Sequence, residues 1–272
     1  MIIIDIVGGL GNQMYGYALY RTLLERGRDI YMNLSFYSHQ DSPDVTVRKY
    51  ELSETFYVTE RFTQGFANFV RKFRLMRTYK DKNTCFQPEI LDVQKGILTG
   101  SWQSFKYSHE IENILRKEFT FRKSLTGQSK KVIDEIRNNS QSVSISVRRG
   151  DYVGLGFALP VEYYFNTIKY IQARIPDAKF FCTSDDIDWC KETFRDYNFT
   201  FIDWSLGDNQ YFDMQVISEC RHNILANSTF CLWGAWMNQN PDKIILRPEK
   251  WGDPKVDIKQ DLWPEDWVAI GA

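Results

Sequence analysis

Two arginines stand side by side, Arg148 and Arg149, closing an apolar run and leading into Gly150, Asp151 and Tyr152. A guanidinium at the end of a buried strand is costly unless something anionic meets it. An internal acid such as Asp151 or Asp185 would satisfy it, and for an isolated Arg–Asp pair that is the simpler reading. Two adjacent forked donors before a glycine fit a diphosphate better, because it offers oxygens for both and sheds its water in a cleft. If that diphosphate leaves during a transfer, the same donors stabilise the charge developing on it.

Other polar clusters could hold the same ligand. Ser184, Asp185 and Asp186 follow the apolar run 179–183, and a carboxylate there can accept hydrogen bonds from a ribose or from guanine N–H groups. Asp186-Ile187-Asp188 also reads D-x-D, a pattern able to hold a divalent ion against a diphosphate. Both acids open a predicted helix, where Asp caps free N–H groups and meets the positive end of the dipole, and capping is the reading adopted. Asn227-Ser228-Thr229 lies between Ile224-Leu225-Ala226 and an aromatic helix; a plain N-cap needs one of the three and leaves two for phosphate or sugar. Trp233 and Trp236 on that helix could stack on a sugar, although this spacing is the usual one for core.

Near the amino end, Gly8-Gly9-Leu10-Gly11-Asn12-Gln13 forms a strand-to-helix turn whose N–H groups can face a polar ligand. It fails as a dinucleotide fingerprint, since Met14 replaces the last glycine and the second strand ends on Asn33 rather than an acid. Close strand-to-helix packing would explain the three glycines equally well.

The elements that position these residues are α/β units, short β-branched runs followed by turns and then helical periodicity. The first runs from Ile2 through a helix to Arg26, with a second strand at 29–33. From Ser35 to about Ser124 the pattern is irregular, with loop signals at Ser42-Pro43 and Gln87-Pro88 and a basic amphipathic piece from Phe66 to Lys82. After it a regular series predicts strands at 142–147, 178–183, 199–203, 222–226 and 243–246, alternating with helices at 161–174, 187–195, 210–220 and 230–238. This divides the chain into 1–124, an amino-terminal domain; 125–250, a Rossmann-like domain; and a tail, 251–272, packing back on the first domain, whose tryptophan-rich part from Trp251 to Trp267 is read as irregular chain. Two such halves imply a cleft, with a ligand beyond the carboxyl ends of the second half's strands.

Composition bounds the rest. With 43% apolar residues the 272-residue chain builds real cores, and 34 Lys and Arg against 35 Asp and Glu leave a net charge of −1. No overall field draws it to nucleic acid, so anion binding must be local. Five cysteines lack C-x-x-C spacing and there are three histidines, which gives no zinc constellation and suits reduced thiols in a cytoplasmic protein. The amino end lacks a basic flank and a cleavage site, and no stretch reaches membrane-spanning length, so the N-x-S/T triplets at Asn33, Asn138, Asn198 and Asn227 carry no weight. The basic piece, in which Arg71, Lys72, Arg74 and Arg77 interleave with Phe66, Phe69 and Phe73, is read as a solvated helix face; peripheral contact with an anionic inner-membrane surface is its second reading.

Taken together, Gly8 to Met14, Val147 to Tyr152, Ser184-Asp185-Asp186 and Cys220 to Phe230 occur in the order that resembles the α-1,2-fucosyltransferases of glycosyltransferase family 11. The resemblance spans nearly the whole chain. It implies a GT-B type α/β fold, two Rossmann-like halves facing across a cleft, and an inverting transfer of L-fucose from GDP-fucose to the 2-hydroxyl of a galactose-terminated glycan, with neither cofactor nor metal. Arg148 and Arg149 would then bind the diphosphate, Ser184 and Asp185 the guanosine side, Asn227, Ser228 and Thr229 the phosphate and fucose, and Gly11, Asn12 and Gln13 the donor sugar or acceptor. Arg148 and Asp151 are the residues expected to act in catalysis. Asp151, Glu162 or the leaving phosphate could each serve as the base.

The family places a histidine two residues before the arginine pair, where this chain has Ser146, and paired tryptophans where it reads Cys231-Leu232-Trp233. Two other readings stand beside the fucosyl transfer: a metal-dependent transferase using Asp186 and Asp188 with another nucleotide sugar, and a non-catalytic glycan-binding protein on the same fold.

Overall fold

In the computed structural model, residues 1–38, 47–63, 65–82, 85–205, 211–251 and 261–272 are described. The loop signal at Ser42-Pro43, the predicted helix start at Gln210 and 252–260 of the tail lie outside them. The described chain divides into two compact units, one of 1–123 with 261–264, the other of 124–251 with 265–272.

The first unit is built on a parallel sheet of strands β1 (Ile2–Asp5), β2 (Ile30–Asn33), β3 (Thr78–Lys80) and β4 (Gly96–Thr99), in the order β2-β1-β4-β3. Strand β1 is central and buried along its whole length, which is why it reads as an unbroken apolar run rather than an alternating one. Gly8 takes the left-handed backbone (φ +73°) that turns the chain from β1 into helix α1 (Leu10–Glu25). Twelve of the sixteen residues of α1 are buried, so it is a core helix and not an amphipathic surface one. The irregular stretch yields short helices, α2 (Leu52–Thr55), α3 (Phe66–Lys72) and α4 (Glu112–Glu118), and the short strand β3 emerges from the far end of the basic piece.

The second unit carries β5 (Ser142–Val147), β6 (Lys179–Ser184), β7 (Phe199–Phe201), β8 (His222–Ile224), β9 (Ile245–Pro248) and β10 (Val268–Ile270), all parallel, in the order β10-β9-β8-β5-β6-β7. Helices α5 (Gly127–Asn138), α6 (Gly150–Leu155), α7 (Val161–Gln172), α8 (Ile187–Thr193), α9 (Tyr211–Glu219) and α10 (Thr229–Met237) connect or flank them. Both faces of β5 are buried. Val143, Ile145 and Val147 pack with Tyr163, Tyr164, Ile168 and Ile171 of α7. On the opposite face Ser142 Oγ accepts the Arg221 N–H at 3.1 Å and Ser144 Oγ accepts from the Asn223 side chain at 2.8 Å, so the buried hydroxyls are satisfied.

Two elements differ from the sequence reading. Helix α6 directly follows the arginine pair, and just beyond the tryptophan-rich stretch, 268–270 form β10, which extends the second sheet beside β9. Each unit is thus a Rossmann-like α/β layer, the α/β GT-B type of half expected.

Candidate active site

The second sheet runs outward in two directions from β5: β6 and β7 on one side, β8, β9 and β10 on the other. Where strand order reverses, the helices that follow the two central strands diverge and open a crevice beyond their carboxyl ends. Arg148 and Arg149 end β5, and Asn227, Ser228 and Thr229 follow β8, so both clusters border this switch point. Ser184 and Asp185 end the adjacent β6.

The arginines are held by carboxylates. Arg148 Nη2 donates to Asp151 Oδ1 at 2.7 Å, and its Nη1 lies 2.7 Å from Asp185 Oδ2. The other Asp185 oxygen accepts the backbone N–H of Arg149 at 2.8 Å. Arg149 Nε donates to Asp186 Oδ2 at 3.0 Å while its guanidinium lies over the Trp189 ring, 4.1 Å from the centroid. Arg148 is likewise stationed over Tyr152 at 5.2 Å. Each guanidinium keeps about a quarter of its surface accessible, at 26% and 22%, so each is oriented from behind and can still present donors to an anion.

Asp186 is the N-cap of α8, its Oδ1 accepting the Trp189 N–H at 3.4 Å, and Ser184 Oγ accepts the Asp186 N–H at 2.9 Å. The D-x-D pair thus serves the helix end and Arg149. Among the described residues no group of three or more His, Cys, Asp or Glu is placed to hold a metal ion.

The loop after β8 is rigid at its base. Cys231 Sγ lies 3.2 Å from Ala226 O and 3.0 Å from Ser228 O, and burial pushes this thiol up to about 12, so it stays protonated and donates. Asn227 Nδ2 donates to Phe157 O at 2.8 Å, and Tyr152 Oη approaches Asn227 O at 3.4 Å, tying α6 to this loop. Ser228 occupies the N-cap position of α10 but makes no side-chain cap bond, and the buried Oδ1 of Asn227 has no protein donor. A buried acceptor without a partner is unusual, and here it is available to a ligand. Trp233 and Trp236 are core, packed edge to face at 5.2 Å.

Gly11, Asn12 and Gln13 belong to the first unit. The Gln13 side chain is wholly buried, donating to Gly8 O at 3.1 Å and Lys49 O at 2.7 Å and accepting the Glu51 N–H at 2.9 Å. Its amide braces the glycine turn against the 47–51 segment. Asn12 Oδ1 accepts from Gln103 at 2.9 Å, and Gly11 is buried within α1.

The first sheet has its own switch point, between β1 and β4, and the sequence reading missed what lies there. Asp5 ends β1 with Oδ1 accepting from Asn33 at 2.7 Å and Oδ2 accepting from Thr99 at 2.8 Å and from Arg71. A pocket of about 390 Å³ opens beside it, lined by Asp5, Val7, Ser35, Phe36, Asn68 and Arg71. The signal was an acid closing an otherwise apolar strand, Ile2-Ile3-Ile4-Asp5. The remaining bases narrow: His222 Nδ1 accepts the Ile244 N–H at 3.0 Å and burial lowers its pKa, which makes it a neutral structural histidine. Glu162 is exposed in the first turn of α7.

Against known proteins, the family model for glycosyl transferase family 11 matches residues 4–271. The chain is 31% identical to an alpha-1,2-colitosyltransferase of Escherichia coli over 99% of both chains. It is 26% identical to the human galactoside alpha-(1,2)-fucosyltransferase 1 over 64% of this chain and 52% of that one. Among solved structures, the fucosyltransferase NodZ from Bradyrhizobium superposes with a TM-score of 0.54 at 13% identity, covering 86% of this chain and 91% of that one, a likeness of fold. The chain belongs to glycosyl transferase family 11.

Proposed function

We propose that this glycosyltransferase moves L-fucose from GDP-fucose to the 2-hydroxyl of a terminal galactoside, with inversion and without a metal ion. The observation that carries the reading is the pairing of Arg148 and Arg149 with Asn227 across the switch point of the second sheet. A diphosphate there meets two guanidiniums already oriented by Asp151, Asp185 and Asp186, while Asp185 and the Asn227 amide oxygen accept from nucleoside or sugar donors. As the bond between the anomeric carbon and the phosphate oxygen breaks, negative charge grows on GDP, and the Arg148 fork stabilises it. The acceptor hydroxyl attacks from the opposite face and gives its proton to a carboxylate, for which Asp151 is the residue put forward.

The acceptor fits the pocket beside Asp5. Ser35, Asn68 and Arg71 offer polar contacts to sugar hydroxyls, and Phe36 and Val7 offer an apolar face to a pyranose ring.

The test is GDP release from GDP-fucose that requires a β-galactoside, survives EDTA and is lost in Arg148→Ala. If GDP-fucose gives no acceptor-dependent GDP while another nucleotide sugar does, the fucose assignment falls. One relative supports a second reading, colitosyl transfer, since the similarity to that enzyme covers 99% of both chains. Offering the fucosyl and colitosyl donors in competition and identifying the transferred sugar decides between them.

A further inference from the structure

We propose that helix α3 and the turn after it form a docking surface for an anionic phospholipid bilayer. This inference does not depend on which sugar is transferred.

The inner face of α3 is fixed, with Ala67 and Val70 buried against Ile3 and Ile97 of the sheet. Among the described residues nothing covers its outer face. Phe66, Phe69, Phe73 and Leu75 are 44%, 52%, 55% and 55% exposed, and the three rings touch in sequence, 6.2 Å from Phe66 to Phe69 and 4.8 Å from Phe69 to Phe73. Single exposed apolar residues are ordinary, but a ridge of three touching rings with a fourth exposed apolar residue close in sequence is the kind of patch that marks an interaction surface.

The backbone builds this ridge deliberately. Leu75 N–H bonds Val70 O at 3.0 Å and Arg74 N–H bonds Arg71 O at 3.1 Å, which closes α3 with two reversed bonds around a left-handed residue. That residue is Arg74 (φ +50°), where glycine or asparagine is usual. The turn ends the helix directly after Phe73 and leaves Leu75 exposed two residues further on.

Charge selects the occupant. From Gly65 to Lys80 there is no acid and there are five basic residues, in a chain of net charge −1. Arg71 is paired with Asp5, but among the described residues no acid pairs with Lys72, Arg74, Arg77 or Lys80. Lys72 and Arg77 instead lie over aromatic rings, those of Phe73 and Tyr79. An apolar ridge rimmed by cations is complementary to acyl chains beneath a layer of anionic headgroups. A second copy of the chain is the poorer fit, because a two-fold contact on this ridge would set Lys72, Arg74 and Arg77 against the same cations of the other copy. Among the described residues no helix is long and apolar enough to cross a membrane, so the contact is a surface one. Asn68 and Arg71 of the same helix line the Asp5 pocket, which would bring that pocket near the lipid surface.

The test is co-sedimentation of the full chain with vesicles of phosphatidylcholine alone or mixed with phosphatidylglycerol. Binding to the anionic vesicles should exceed binding to the neutral ones by about tenfold at low salt and weaken as salt is raised. Phe69→Ser with Phe73→Ser should abolish it, as should Lys72→Glu with Arg74→Glu. Neither pair should change the melting temperature or transfer to a soluble acceptor, since these side chains are exposed. No binding to anionic vesicles at low salt overturns the proposal. So does a concentration-dependent dimer that the phenylalanine variant dissolves while vesicle binding stays absent, which would assign the ridge to a second copy.

Discussion

A Cβ built on Gly150 would lie 2.7 Å from Asp185 Oδ2, so the first residue of α6 is a glycine because the Asp185 carboxylate occupies the space of its side chain. That carboxylate cannot easily retreat: the same oxygen faces Arg148 Nη1 and its twin holds the Arg149 N–H. Gly150 therefore sets how closely β5 and β6 bring the arginine pair to its acid.

Gly150→Ala should displace Asp185 and misalign Arg148 with little effect on the fold. The expected result is a fall in kcat/KM of about tenfold, the scale of effect from small misplacements of a positioned group. Steady-state kinetics beside a thermal melt checks it; unchanged kinetics would mean the contact is merely local packing.

Arg148→Lys keeps the charge and loses the fork that spans Asp151, Asp185 and the ligand. If the fork acts on the leaving diphosphate, kcat drops on the order of a hundredfold while the acceptor KM stays near its original value. A loss confined to the donor KM would reduce Arg148 to a ground-state binding residue.

Asp186→Ala removes the cap of α8 and a partner of Arg149. A stability loss of about 1 kcal/mol in urea unfolding is expected. Transfer by the wild type and by Asp188→Ala should both persist in EDTA. Strict manganese or magnesium dependence, lost in Asp188→Ala, would instead give the D-x-D pair to a metal.

Burial lifts the Asp213 carboxyl from its ordinary 3.8 to about 7, against the Ser205 hydroxyl that donates to it. A carboxyl raised on folding binds its proton more tightly in the folded chain than in the unfolded one. Its stabilising contribution is full below about pH 4, is lost as pH rises through about 7, and is constant above that. Asp213→Asn keeps an acceptor for Ser205 and removes the titration. Urea unfolding should show the variant gaining on the wild type between those limits, reaching a few kcal/mol, about 4 at most, at pH 8.

Much of the second unit was legible because its central strands β5, β6 and β8 are short runs buried on both faces, each followed by a polar turn. The arginine pair, Asp185 and the Asn227 loop stand out at such ends. Helix α6 was not legible, since Gly150 and Gly154 fall among its six residues and its C-cap is Gly156 in the left-handed region (φ +72°). Strand β10 was hidden for another reason: three residues carry too little pattern, and pairing with β9 alone makes them a strand. The role of Gln13 rests on a carbonyl and an N–H more than thirty residues away, at Lys49 and Glu51, which no local pattern encodes. Ser146 explains little of the site, as its Oγ meets only Thr183 Oγ1 at 3.5 Å.

The end of the chain serves both units. Leu262 O accepts from Tyr15 at 3.0 Å and Asp261 accepts the Phe86 N–H at 3.0 Å in the first unit, while 268–270 add the outermost strand to the second sheet. During synthesis, neither unit can reach its final packing until 261–270 have left the ribosome, so the amino-terminal unit waits for contacts from a segment translated well over a hundred residues later. Loss of 261–270 would therefore damage two units instead of one.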